Sequence, residues 1–318
     1  MGFRKTSVTD HGRIDPTIRL HRTLLITGGS GFLGAALVEA ARMQGWDVVA
    51  TYHSRRPQTQ GVCWEMIDLR DGAATRALIE RYAPDAVIHT AYRQEGPDMA
   101  AITADGAGVV AQGAYAAQAR LIHLSSDVVF DGERSGRYTE ADAPQPVTAY
   151  GAAKAEAERL VAHAHPAALI VRTSLIYGGP DRPGRHERFV LDVIDGRAEA
   201  IFFIDELRCP IGVGDLAAAL LELAALDRSG ILHVAGPDVV SRYEFACLVA
   251  RAFGRDPTGV RGGPSPAAPR RPRNCALDSR IAQSILTTRL RGIWEVLDER
   301  RVVESTTGTI GNCEDENR

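Results

Sequence analysis

TLLITGGSGFLGAALVEAARMQG, residues 23–45, changes its period halfway along. TLLIT is a short apolar run of the kind that forms a buried strand. FLGAALVEAARMQG has helical spacing and closes on Gly45. Between them Gly28, Gly31 and Gly34 form a GxxGxxG pattern, one residue longer in its first interval than GxGxxG. Glycine at 28 permits the tight turn, at 31 it lets a pyrophosphate approach the backbone, and at 34 it lets helix and strand pack closely. The helix N-terminus adds free N–H groups and a partial positive charge. Ser30, Phe32 and Leu33 lie in the same turn and join it as expected cofactor contacts. A glycine triplet also fits a purely structural turn. Its place between strand and helix favours dinucleotide binding.

The alternation continues outward. WDVVATY (46–52), VCWEMIDL (62–69), DAVIHTA (85–91), RLIHLSS (120–126) and AALIVRTSLIYG (167–178) read as strands. Helices are expected over 71–84 with Asp71 as N-cap, over 97–119, and in the alanine-rich stretch 148–165. This predicts an α/β fold, a doubly wound parallel sheet of the Rossmann type. After Gly178 come a Gly/Pro loop, helices over 214–230 and 241–254 (Ser241 as N-cap), a strand at 231–236, and a Pro/Gly/Arg loop. The expected organisation is a flexible N-terminal extension (1–21), a dinucleotide-binding domain (22–178, with 213–235 returning to it), a smaller C-terminal α/β substrate-binding subdomain (179–212 and 236–305), and a disordered tail (306–318).

With 45% hydrophobic and 24% charged residues the 318-residue chain has the profile of a soluble globular protein. A net charge of −3 gives no hint of a nucleic-acid partner, and no apolar run is long enough for a membrane span. The first 22 residues lack the apolar core of a secretory signal. Met1-Gly2 with Thr6 fits a myristoylation pattern only formally. Five dispersed cysteines, without CxxC or Cys/His spacing, suggest free thiols in a cytoplasmic protein and no metal site.

The second strand ends in ATYHSRRP. An acid here would hold the ribose hydroxyls of NAD. The chain instead has His53, Ser54, Arg55 and Arg56, and a guanidinium fork suits a 2′-phosphate, which favours NADP(H). A merely solvated basic loop is the alternative. Asp68 and Leu69 fall where an adenine would lie, or Asp68 caps the next helix.

Ser126 ends the fifth strand, where ligands bind in open α/β sheets. Tyr150 and Lys154 share a helix face four residues apart. A nearby ammonium lowers the tyrosine pKa, and a tyrosine so tuned can protonate a carbonyl oxygen as hydride arrives at carbon. Such pairs also occur by chance. The glycine turn and Ser126 are what lift this one above chance.

TGGSGFLG, LSSDVVFDG, YGAAKAEAE and RTSLIYGG together resemble the extended short-chain dehydrogenase/reductases. GRYTEADAPQPVTAYGAAKAEAE, DELRCPIGVGDLAAAL and RPRNCALDSRIAQ resemble the dTDP-4-dehydrorhamnose reductase group within them, over about residues 22–300. The resemblance implies NADPH-dependent reduction of a keto group on a nucleotide-linked sugar. It implies Ser126, Tyr150 and Lys154 as the catalytic triad, with Thr90, Ala91 and Tyr92 along the cofactor. Asp127, Val128, Leu175 and Arg208 are the expected substrate contacts. The chain departs from that group at Val128, where an aromatic residue is usual, at Leu175, where tryptophan is, and at Thr103, where an asparagine serves a proton relay. The sugar is therefore left open. Arg208 binds an acidic substrate group or forms a structural ion pair.

Two other functions fit the same residues. One is an NAD-dependent sugar-nucleotide epimerase of the same fold. The other is a non-catalytic NADP-binding subunit resembling the regulatory β-subunit of methionine adenosyltransferase. A homodimer is compatible with either. His89, His123 and His233 read as core histidines, Trp46 and Trp294 as packing residues, Asp131-Gly132 as a turn, and RRPR (270–273) as loop support or a phosphate contact.

Overall fold

The computed structural model describes residues 22–268 and 270–297. The N-terminal extension with its Met-Gly opening, the polar tail and Cys313 lie outside them.

Among the described residues a seven-stranded parallel sheet forms the centre. Its strands are β1 (Thr23–Thr27), β2 (Asp47–Tyr52), β3 (Cys63–Met66), β4 (Ala86–His89), β5 (Arg120–Ser126), β6 (Leu169–Thr173) and β7 (Gly230–His233). They lie in the order β7-β6-β5-β4-β1-β2-β3. Chain direction across the sheet reverses between β1 and β4, which opens a crevice at the carboxyl ends of the strands.

Both faces are covered. On one, Leu24, Ile26, Ile88, Ile122 and Leu124 pack against α1 (Phe32–Met43) and a later helix at Val213–Ala225. On the other, Leu25, Val87, Leu121 and Ile170 pack against α2 (Gly72–Tyr82), α3 (Gly106–Ala116) and α4 (Ala149–Ala164). Strands buried on both faces read as continuous apolar runs, which is why periodicity found them. A third apolar cluster lies off the sheet, around α5 (Arg185–Ile194), Phe202 and the helix Arg242–Ala252. We number Val213–Ala225 as α6 and Arg242–Ala252 as α7. No helix among the described residues is long and apolar enough to cross a membrane.

The expected caps form: Asp71 accepts from the Ala74 amide at 2.9 Å, and Ser241 from the Glu244 amide at 3.0 Å. Three expectations need correction. The single strand expected over 167–178 breaks after Thr173, and Ile176–Tyr177 pairs instead with Ile211–Gly212. Ser174 causes the break, because its hydroxyl donates to Asp127 at 2.6 Å and accepts from the Cys209 amide at 3.1 Å. The helix expected over 97–119 opens with a π turn at Ala101–Asp105. There the Thr103 hydroxyl bonds both the amide and the carbonyl of Arg93, at 2.9 and 2.8 Å. Trp294 is 40% exposed and is not a core residue, whereas Trp46 packs on the core under Arg22.

Residues 270–278 thread back through the fold. Asn274 donates to the Gly132 carbonyl at 3.0 Å, Cys275 to that of Leu207 at 3.0 Å, and Leu277 bridges Tyr138. Gly132 has φ +79°, and a Cβ there would lie 2.3 Å from the Arg273 nitrogen.

At Gly34 a Cβ would stand 2.1 Å from the Gly28 carbonyl oxygen. Gly34→Ala should therefore push α1 off its turn and cost about 1–3 kcal/mol. A denaturant titration checks it, and an unchanged midpoint would show that the turn yields freely.

Candidate active site

The cleft begins at the β1–α1 turn. Gly28 takes φ +72° and its Cβ position is filled by Ala91, 2.8 Å away, so a side chain there is excluded twice over. Gly31 caps α1, and a Cβ on it would meet only the Gly28 carbonyl, at 3.2 Å. The α1 N-terminus thus faces open space that a phosphate can enter.

Ser126, at the end of β5, is half-buried. Its hydroxyl donates to Asp127 Oδ1 at 3.1 Å. Asp127 is buried; its other oxygen takes the Ser174 hydroxyl and lies 3.7 Å from Arg208 Nε. Thr148 caps α4 by accepting from the Gly151 amide at 3.0 Å. A Cβ at Gly151 would lie 2.3 Å from the Val128 carbonyl oxygen, so glycine lets the helix start against the β5 loop. This entry brings Tyr150 and Lys154 to the same cleft as Ser126. Lys154 is buried and donates to the Leu124 carbonyl at 2.9 Å. Its ammonium lies 5.2 Å from the centre of the Tyr92 ring, which lies 5.8 Å from that of Tyr150.

The electrostatics correct one expectation. Burial, then Tyr92 and Asp127, push Tyr150 well above the ordinary tyrosine value; no lysine pulls it down. Tyr150 therefore keeps its proton at neutral pH. Burial pushes Lys154 down to about 8, against an upward pull from Glu158.

The cleft has a volume of about 460 Å³. Of the expected cofactor contacts, Gly28, Gly31, Phe32, Leu33, Gly34, Thr90, Tyr92, Tyr150 and Lys154 line it. The expected substrate contacts Asp127, Val128, Leu175 and Arg208 line it as well. Ser30, His53, Ser54, Arg55, Asp68, Leu69 and Ala91 do not. The Leu69 side chain is core, packed against Gly106. Ala91 packs under Gly28. Asp68 is bonded by Arg70 and sits 3.8 Å from His53; the cap of α2 is Asp71. His53, Ser54 and Arg55 are exposed beyond the end of β2.

Arg208 is a structural ion pair in a lining position. It is buried, donates to the carbonyls of Leu207, Pro272 and Arg273, and faces Asp127 and Glu206. Sequence reasoning missed Arg185, His186, Glu206 and Arg242 in the same wall, and Arg271 was read only as part of RRPR. Their residues are 86 apart at the extremes of the chain segment, and no local spacing links them. Burial and then Arg242, Arg185 and Arg208 hold His186 neutral, with a pKa of about 3. Burial and then Arg208 push Arg242 down to about 10. His89 and His123 stack inside the sheet face, with ring centres 5.2 Å apart. No group of three or more His, Cys, Asp or Glu side chains suited to a metal gathers among the described residues.

A family model described as RmlD substrate binding domain matches residues 22–300. A dTDP-4-dehydrorhamnose reductase of Mycolicibacterium smegmatis is 33% identical, over 94% of this chain and 91% of its own. The methionine adenosyltransferase 2 subunit beta of Bos taurus is 32% identical, over 81% of this chain and 80% of its own. The fold matches that of a Bacillus anthracis dTDP-4-dehydrorhamnose reductase solved with NADP, at TM-score 0.75 and 23% identity, covering 89% of this chain and 99% of that one.

Asp127→Asn removes the carboxylate opposite the buried Arg208 and weakens two hydroxyl bonds. Stability should fall by about 1–3 kcal/mol, read from urea unfolding. An unchanged midpoint would mean that Glu206 alone suffices for Arg208.

Proposed function

This chain belongs to the RmlD substrate binding domain family of extended short-chain dehydrogenase/reductases, and on that premise we propose that it is an NADPH-dependent reductase of a keto group on a nucleotide-activated sugar. The observation that carries this reading is the meeting of Ser126, Tyr150 and Lys154 with the glycine turn in one cleft.

The turn fits a dinucleotide. Gly31 leaves its side toward the cleft clear, and α1 presents its amides there. The nicotinamide, when bound, supplies hydride to the substrate carbon. Ser126 orients the carbonyl by hydrogen bonding its oxygen. Tyr150, kept protonated by burial, gives that oxygen its proton as negative charge develops. Lys154, one turn along the same helix and lining the same cleft, holds the nicotinamide ribose. His53, Ser54 and Arg55 at the end of β2, with no acid among them, suit a 2′-phosphate.

Arg185, Arg242 and Arg271 line the outer wall and suit an anionic diphosphate. Val128 and Leu175 leave less aromatic surface toward the sugar than the reductase group has, so we leave the sugar unnamed. A second reading, a non-catalytic binding subunit, is favoured by the methionine adenosyltransferase relative at nearly the same identity. The intact Ser/Tyr/Lys set favours the reductase.

NADPH oxidation with a panel of nucleotide 4-keto-sugars separates the two. Tight NADPH binding without turnover on any of them would favour the binding subunit. For the reductase, Tyr150→Phe should lower kcat by about 10²–10⁴-fold with NADPH affinity retained. Intact turnover in that variant would remove Tyr150 as donor. Arg55→Ala should weaken NADPH binding more than NADH binding in a fluorescence titration; equal weakening would take the 2′-phosphate away from Arg55.

A further inference from the structure

α4 is fastened to β5 at two consecutive residues. Lys154 donates to the Leu124 carbonyl at 2.9 Å, and Ser125 donates to Glu158 Oε1 at 2.5 Å. The next residue is Ser126. Glu158 follows Lys154 by four residues as Lys154 follows Tyr150, so all three lie along one helix face. Both Glu158 oxygens also take the guanidinium of Arg172 on β6, at 2.9 and 2.7 Å. Arg172 is wholly buried and packs over Phe130. Glu158 therefore ties the helix carrying the donor to both strands beneath it.

We propose that Glu158 is a positioning residue: through Ser125 and Arg172 it sets the register of α4 against Ser126, and, one turn beyond Lys154 on the same face, it fixes the surroundings of that buried side chain. The first part concerns geometry alone; the use made of the ammonium rests on the reductase reading. The groups acting on or packed against Lys154 are Glu158 on its own helix, itself paired with Arg172 on β6, Tyr92, His89 on β4 and His123 on β5. Burial keeps both histidines neutral, His89 at about 3 and His123 well below the usual value. Glu158 is then the one carboxylate among them. Burial disfavours the ammonium and Glu158 opposes that, so losing the carboxylate moves the lysine midpoint to lower pH.

The chain has only two lysines, Lys5 and Lys154. In a Lys5→Arg background, ¹³C-lysine labelling gives a single side-chain signal whose pH titration is read directly by NMR. The expected midpoint is about 8, falling by about one pH unit in Glu158→Gln. Glu158→Asp, which keeps the charge, should stay within about 0.3 units of the parent. Because Glu158→Gln leaves Arg172 unpaired, Glu158→Gln/Arg172→Gln is the second variant, and it too should show the fall. An unmoved midpoint in either folded variant, or an equal fall in Glu158→Asp, overturns the proposal. If the midpoint falls as expected but no keto-sugar is reduced, the positioning role stands and the reductase reading fails.

Discussion

The carbonyl and Cα of Gly28 form the point on which the cleft is built. Three elements converge there. From β2, Thr51 accepts the Gly28 amide at 3.0 Å; from β4, Ala91 closes over its Cα; from α1, the Gly31 amide donates to its carbonyl at 2.9 Å. Any side chain at 28 or 34 would force one of them away. Because β1 has β2 on one side and β4 on the other, this same residue marks where the winding of the sheet reverses. Close approach and topology thus coincide in one residue, and Ser126, Tyr150 and Lys154 are brought to the same cleft by β5 and α4.

Charge is distributed unevenly through the cleft. Beneath and in the cleft wall buried charges are paired, Glu158 with Arg172 and Arg208 with Asp127 and Glu206. Buried pairs of this kind add little net stability, yet removing one partner so that the other is left without any counter-charge costs about 3–5 kcal/mol. They hold geometry more than they hold the protein together. Arg185, Arg208, Arg242 and Arg271 line the cleft, with Glu206 the shared counter-charge of Arg208, Arg242 and Arg271.

How much of this was legible in the sequence follows from range. The β1–α1 turn, the capped α2 and α7, and the buried strands rest on local spacing, so the residues themselves disclose them. Tyr150 and Lys154 share a helix face, which spacing also reveals. The break at Ser174 was not legible, because it arises from an Asp127 carboxylate 47 residues earlier. Nor was the lining role of Arg185, His186 and Arg242, which depends on how α5 and α7 pack over the sheet. The sense of the Tyr150 shift was misjudged for a related reason: a lysine four residues away is visible in sequence, whereas burial is not.

The thread at 270–278 carries a consequence for the order in which the molecule is made. Pro272 and Arg273 supply carbonyls to Arg208, Asn274 reaches Gly132, and Leu277 bridges Tyr138. These contacts join parts of the chain up to 142 residues apart, from Gly132 to Asn274. Six strands of the sheet and the glycine turn precede α5, so they can gather while the rest is still being synthesised. The far wall cannot. Until residues 272–277 have emerged, Arg208 lacks its Pro272 and Arg273 carbonyl partners, and a nascent chain has the glycine-turn side of the cleft before the wall opposite it.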